Sequence, residues 1–73
     1  MRYEIEVDFD DEGRCQDHDV YFGVAGKYNA LCIGHDKTHT STMFIRAKKL
    51  NLEKLAKELA EGDIKILSVQ KAA

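Results

Sequence analysis

Residues 19–34, "DVYFGVAGKYNALCIG", decide how the rest of the chain can be arranged. Two short apolar runs, "DVYFGVA" and "YNALCIG", flank Gly26 and Lys27. β-Branched and aromatic residues suit strands, and a glycine-containing dipeptide between such runs reads as a hairpin turn. With Gly26-Lys27 as that turn, Phe22 faces Leu31 and Val20 faces Ile33. Directly opposed residues share a sheet face, so these four fall on one side. Tyr21, Gly23, Ala30 and Cys32 then fall on the other.

On the N-terminal side, "RYEIEVDFD" (residues 2–10) alternates Tyr3, Ile5, Val7 and Phe9 with Arg2, Glu4, Glu6 and Asp8. That period of two is the signature of a half-buried strand, and "DDEG" closes it as a turn. On the C-terminal side, "HDKTHTST" is a polar loop and "TMFIRA" a further strand, with Met43, Ile45 and Ala47 on one side and Thr42, Phe44 and Arg46 on the other. "NLEKLAKELAEG" (residues 51–62) reads as an amphipathic helix. Asn51 is its N-cap, Gly62 its C′ stop, and Leu52, Leu55, Ala56 and Leu59 form one apolar stripe. Glu53 with Lys57 and Lys54 with Glu58 are expected i,i+4 pairs on the wet side. "DIKILSVQ" (residues 63–70) is the last strand, with Ile64 and Ile66 opposed to Leu67 and Val69, as in an interior strand or one carrying a bulge. The expected fold is α+β, in the order β-β-β-β-α-β: a four- to five-stranded, mostly antiparallel sheet with one helix packed on one face. The uncovered face would carry Tyr21, Cys32 and Phe44, and such a face suits a partner or a second copy.

Seventy-three residues bound the problem to a single domain, 1–73. A chain of that size buries only about 60% of the surface its unfolded state exposes. No apolar run reaches the length of a membrane span, and no segment has the pattern of an export signal. Two cysteines are too few for the framework of a small secreted domain, so reduced thiols and a cytoplasmic setting are expected. Charge is distributed unevenly along the chain. Residues 1–20 carry eight acids against Arg2 and Arg14, whereas residues 21–50 carry five basic residues against Asp36. An acidic first strand suits a protein partner with a basic surface better than it suits a phosphate backbone.

Both cysteines and all three histidines fall between residues 13 and 39. Cys15-x-x-His18 and Cys32-x-x-His35 repeat one spacing, and two-residue spacers let a turn aim both ends at one zinc ion. In the hairpin register His18 lies opposite His35, which favours such a site. Cys32 then lies on the face opposite His35, which opposes it. No cofactor is favoured on balance, but Cys15, His18, Cys32 and His35 are the zinc candidates. A calcium-loop outline also overlaps this segment, with Asp8, Asp10, Glu12, Gly13 and Asp19 at suitable spacing but with Asp in place of the usual final Glu.

Catalysis has less support. A thiolate nucleophile needs a positive neighbour, yet Cys15 sits among acids, and no serine lies in a nucleophile-elbow context. The Gly-Lys step of "GVAGKY" lacks the spacing of a phosphate-binding loop. The chain is therefore expected not to be an enzyme. Nucleic-acid binding would draw on Lys27, Lys37, Arg46, Lys48 and Lys49 with Tyr21, Tyr28 and Phe44, but the acidic first strand opposes it. The expected function is that of a small non-enzymatic protein-binding module. Glu4, Glu6, Asp8 and Asp10 would steer the partner while Tyr21, Tyr28 and Phe44 anchor it. The alternative is a zinc-stabilised or nucleic-acid-binding small domain, and a homodimer is compatible with either.

The run "MFIRAKKLNLEKLAKELAEGDIKILSVQ" (residues 43–70) resembles the strand–Ala–helix–strand ending of many small phage and mobile-element accessory proteins, anti-CRISPR inhibitors among them. It is a pattern of element types and transfers no functional residue. The resemblance implies a small inhibitor that binds a host nucleoprotein machine through acidic side chains competing with nucleic acid for basic grooves.

Overall fold

A computed structural model describes residues 1–10, 17–35 and 37–72. Its elements are β1 (Arg2–Val7), α1 (His18–Lys27), β2 (Leu31–His35), β3 (Thr40–Arg46), α2 (Leu52–Ala60) and β4 (Ile66–Ala72). The sheet order is β2-β3-β1-β4, and every neighbouring pair is antiparallel. β1 and β2 therefore run parallel with β3 inserted between them, and β3 and β4 run parallel with β1 between them. This is the ferredoxin-like β-α-β-β-α-β arrangement. It shares the α+β class and the antiparallel sheet expected from the sequence; among the described residues it has four strands, within the expected range, but two helices where one was expected.

The difference lies in the opening stretch. "DVYFGVA" is not the first arm of a hairpin; it belongs to α1. The residues that α1 buries, Tyr21, Val24 and Ala25, with the half-buried C-cap Tyr28, recur at i, i+3, i+4 and i+7, which is helical spacing, and Val20 is half-buried beside them. Local propensity opposes this outcome, because Val, Tyr, Phe and two glycines are poor helix formers. Gly23 and Gly26 are exposed and have no atom near a would-be Cβ, so no packing requirement explains them. Tertiary packing overrides propensity here. Tyr21 is fully buried, its ring stacked on Phe9 with centroids 3.9 Å apart and planes 15° from parallel. Such a pair contributes about 0.5–1.5 kcal/mol beyond its buried area.

The second helix follows its local signals. The Asn51 side chain accepts a hydrogen bond from the Lys54 backbone N–H at 3.1 Å, satisfying one of the unpaired donors at the helix start. Leu55 and Leu59 are fully buried, with Leu52 and Ala56 half-buried beside them.

Both helices end in one motif. After α1, the Asn29 N–H donates to Gly26 O and the Ala30 N–H to Ala25 O, with Asn29 left-handed at φ 56°. After α2, the Asp63 N–H donates to Ala60 O and the Ile64 N–H to Leu59 O, with Asp63 left-handed at φ 57°. These are Schellman caps, in which the last carbonyls of the helix find donors. Gly62 is thus not the left-handed residue; its role is close approach. A Cβ at position 62 would lie 2.8 Å from Val20 Cβ and 2.9 Å from Asp17 Cβ, so only glycine lets the end of α2 meet the start of α1.

Both helices cover one face of the sheet. Tyr3, Ile5 and Val7 of β1 with Met43 and Ile45 of β3 meet Tyr21, Val24, Leu55 and Leu59 in a single core, joined by Phe9 and Ile64. The alternation expected for β1 and β3 holds residue by residue. β4 carries a bulge: Glu6 pairs with Ser68 but Val7 with Ile66, which leaves Leu67 as the extra, exposed residue. The bulge brings Val69, opposite Ile5, onto the same face as Ile66. Between the helices, Glu58 of α2 accepts from Lys27 Nζ at 3.0 Å and from the Tyr28 hydroxyl at 2.8 Å. The hydrogen bonds of Glu58 go to this clip, while the expected partner Lys54 contributes a coulombic attraction. The bond from Lys27, then that from Tyr28, holds the Glu58 carboxyl below its usual range. Burial first, then the bond to Glu58, pushes the Tyr28 hydroxyl up.

Candidate functional site

The sheet face opposite the helices is uncovered, and strand pairing dictates what it displays. β2 pairs with β3 so that Leu31 lies beside Phe44, Ile33 beside Thr42 and His35 beside Thr40. Phe44 in turn lies beside Glu4, Thr42 beside Glu6 and Arg46 beside Arg2. Gln70 and Ser68 complete those rows on β4. Opposed residues share a face, so one surface runs from an apolar strip at the β2 edge, across the Glu4–Glu6 row, to polar side chains on β4.

The strip is unusually bare. Leu31 is 66% exposed and Ile33 46% exposed, with Phe44 half-exposed between strands. Isolated apolar residues on a surface need no explanation, but three large ones side by side on a sheet do. They line an open groove of about 370 Å³ together with Asn29, Arg2 and Arg46. The Arg2 guanidinium carbon lies 5.8 Å from the Phe44 ring centroid, and Arg2 Nη2 lies 3.7 Å from Glu4 Oε2. Arg46 forms no ion pair among the described residues. At the other end of the strip, His35 Nε2 shares a 2.8 Å hydrogen bond with Thr42 Oγ1.

Placement of the residues singled out from the sequence divides sharply. Phe44, Glu4 and Glu6 stand together on the open face. Asp8 is exposed just beyond β1, with its backbone N–H donating to Lys65 O. Asp10 lies at the end of the sheet, where its carboxylate meets His39 Nδ1 at 2.8 Å. Tyr21 is in the core and is not a surface anchor. Tyr28 is half-buried at the helix–helix contact, bonded to Glu58. Cys32 points toward the core, not to the uncovered face.

The zinc candidates among the described residues, His18, Cys32 and His35, do not converge. Cys32 and His35 lie on opposite faces of β2, because residues three apart on a strand diverge. His18 is not opposite His35. It sits in the first turn of α1, with its ring 4.5 Å from that of Phe22 and 6.4 Å from that of Phe9. Cys15 lies outside the described residues, as do Glu12 and Gly13 of the calcium-loop outline. Among the described residues no group of three or more His, Cys, Asp or Glu side chains is arranged to hold a metal ion. The basic and aromatic set also disperses: Lys27 is bound to Glu58, Tyr21 is buried, and strand pairing places Phe44 and Arg46 on the open face.

Sequence reasoning missed Leu31, Ile33 and Arg2 as residues of this site, and offered Arg46 only in the nucleic-acid alternative. The signal was present in the alternation of Leu31, Ile33 and His35 with Cys32 and Gly34. Only the β2–β3 register shows which set faces out. No helix among the described residues is long and apolar enough to cross a membrane. Compared with known proteins, the chain matches no family model, no curated protein and no solved structure.

Proposed function

We propose that this chain is a small, non-enzymatic protein-binding module whose contact surface is the open sheet face. The observation that carries the reading is the strip of Leu31, Ile33 and Phe44, uncovered on a sheet whose other face is packed by both helices. Fully burying a Leu, Ile or Phe side chain contributes about 1.5–3 kcal/mol. Three together supply the apolar centre that a modest interface needs to offset the freedom lost on association. The charged groups around the strip would select and orient the partner. Glu4 is engaged by Arg2 and Asp10 by His39, so the steering role falls chiefly to Glu6 and Asp8. In the inhibitor form of this reading, those two carboxylates would compete with nucleic acid for a basic groove.

Direct nucleic-acid binding is less well supported. Sheet platforms for single strands stack bases on aromatic side chains and track the backbone with positive charge. Here one aromatic ring is offered, and the neighbouring β1 positions hold Glu4 and Glu6, which repel phosphate.

A photo-crosslinking amino acid at position 31 or at position 57 tests the reading in the cell the protein comes from. Leu31 is on the open face and Lys57 on the exposed side of α2. Adducts that are protein in nature and arise from position 31 alone are expected. Adducts confined to position 57, or adducts removed by nuclease, would overturn it.

A further inference from the structure

We infer that the partner enters as an extended segment that adds a fifth strand to β2, runs antiparallel to it, and presents a carboxylate near its C-terminal end to Arg46. This inference rests on the protein-binding reading and specifies the mode of binding.

The first support is the contrast between the two edges of the sheet. Edge strands expose unpaired backbone groups and are normally blunted by a bulge, by charge or by proline. β4 is blunted: it has the Leu67 bulge, Lys65 precedes it, and Lys71 lies over the Tyr3 ring at 5.8 Å. β2, "LCIGH", has no bulge in its pairing with β3, no proline and no lysine. Its two exposed apolar side chains lie beside the free edge. An added strand gains main-chain hydrogen bonds from such an edge and specificity from every second side chain. Side chains of the added strand that point to the open face would extend the Leu31–Ile33–Phe44 strip.

The second support is charge, which sets the end at which a carboxylate is held; antiparallel addition, the pairing between all neighbouring strands of this sheet, then gives the direction. Arg46 and Arg2 are paired residues at one end of the groove, next to Asn29, where β2 begins. At the end of the strip where β2 finishes, His35 is bonded to Thr42, and Thr42 is paired with Glu6. Arg2 is already engaged with Glu4, whereas Arg46 forms no ion pair among the described residues. A segment antiparallel to β2 ends where β2 begins, so its last residues reach Arg46. A carboxylate there, from Asp, Glu or the chain terminus, meets a guanidinium able to bind it through two donors.

The test is a selection from random octapeptides displayed at the C terminus of a carrier protein, with the intact chain as bait. The inference expects alternating apolar and polar residues with an acid in the last two positions. Peptides so selected should bind Arg46→Glu at least tenfold more weakly, and should recover when their acid is replaced by lysine. They should bind Lys57→Glu as they bind the unaltered chain. On binding, backbone amides of β2 should gain protection from hydrogen exchange. Acids enriched at the start of the peptides, no enrichment at all, or a change under twofold with Arg46→Glu would overturn the strand-addition mode. Crosslinking from position 31 would still stand in that case, so failure of the mode and failure of the protein-binding reading give different results.

Discussion

The two helices pack side by side on one face of one sheet and end in the same capping motif, yet they are encoded differently. α2 carries its own instructions: an Asn51 cap that accepts its hydrogen bond, a leucine stripe, and helix-forming Glu, Lys and Ala between. α1 has no side-chain bond at its Asp17 cap and contains two exposed glycines and several strand-preferring residues. It is helical because Tyr21, Val24 and Ala25 have a core to enter. One helix is specified locally and the other by its surroundings, and the variants that follow test that difference.

The largest effect is expected from Tyr21→Ala. Removing a fully buried aromatic costs about 3–5 kcal/mol. In so small a domain that approaches the whole stability, so far-UV circular dichroism should show α1 lost and the fold with it. A variant that keeps its urea midpoint would mean that α1 does not depend on the core. Gly62→Ala comes next, because the added methyl would collide with Val20 and Asp17. Overpacking of this kind costs about 1–3 kcal/mol. A neutral result in urea unfolding would show that the helix ends are further apart than described.

Asn51→Ala removes the cap of α2 and should cost about 0.5–2 kcal/mol in the same assay. Gly23→Ala and Gly26→Ala should have the opposite sign, each stabilising by about 0.5–1 kcal/mol, because both positions are helical, exposed and free of neighbours. Were these residues a strand and its turn, the same substitutions would destabilise.

The smallest effect concerns the clip between the helices. Glu58 has a folded-state affinity for protons below that of the unfolded chain, so its contribution is present above the ordinary carboxylate value of 4.5. It is lost as the pH falls through the depressed folded value. Glu58→Gln should therefore lower the urea midpoint slightly at pH 7, and the gap from the unaltered chain should close on acidification below the ordinary carboxylate value of 4.5. A gap that widens in acid would contradict the clip.

How much was legible follows the same division. β1, β3 and α2 could be read because alternation, the leucine stripe and Asn51 are local signals, and the bulge in β4 showed as a break in alternation. α1 could not, because Val20 and Phe22 alternate with Tyr21 and Gly23 as well as a strand would, while the 21, 24, 25, 28 stripe is polar nowhere and so gives weak contrast. That single misassignment propagated. With α1 taken as a strand, β2 acquired the wrong neighbour, and a strand's two faces exchange when its pairing is misjudged. Cys32 was placed outward and Leu31 and Ile33 with the buried set, the reverse of the structure. Phe44 was placed on the uncovered face, and Glu4 and Glu6 on the side of β1 opposite its apolar set, because these placements depend only on β1 and β3.

The central claim is that residues 19–34 form a helix followed by an edge strand paired with β3, since that arrangement alone sets Leu31 and Ile33 beside Phe44. Backbone chemical shifts and cross-strand nuclear Overhauser contacts for residues 18–46, measured by NMR, test it most directly. The account predicts helical shifts from His18 to Lys27 and contacts joining Leu31 to Phe44 and Ile33 to Thr42. Extended shifts from Val20 to Ala25, with contacts joining Phe22 to Leu31, would contradict it and dissolve the proposed binding strip.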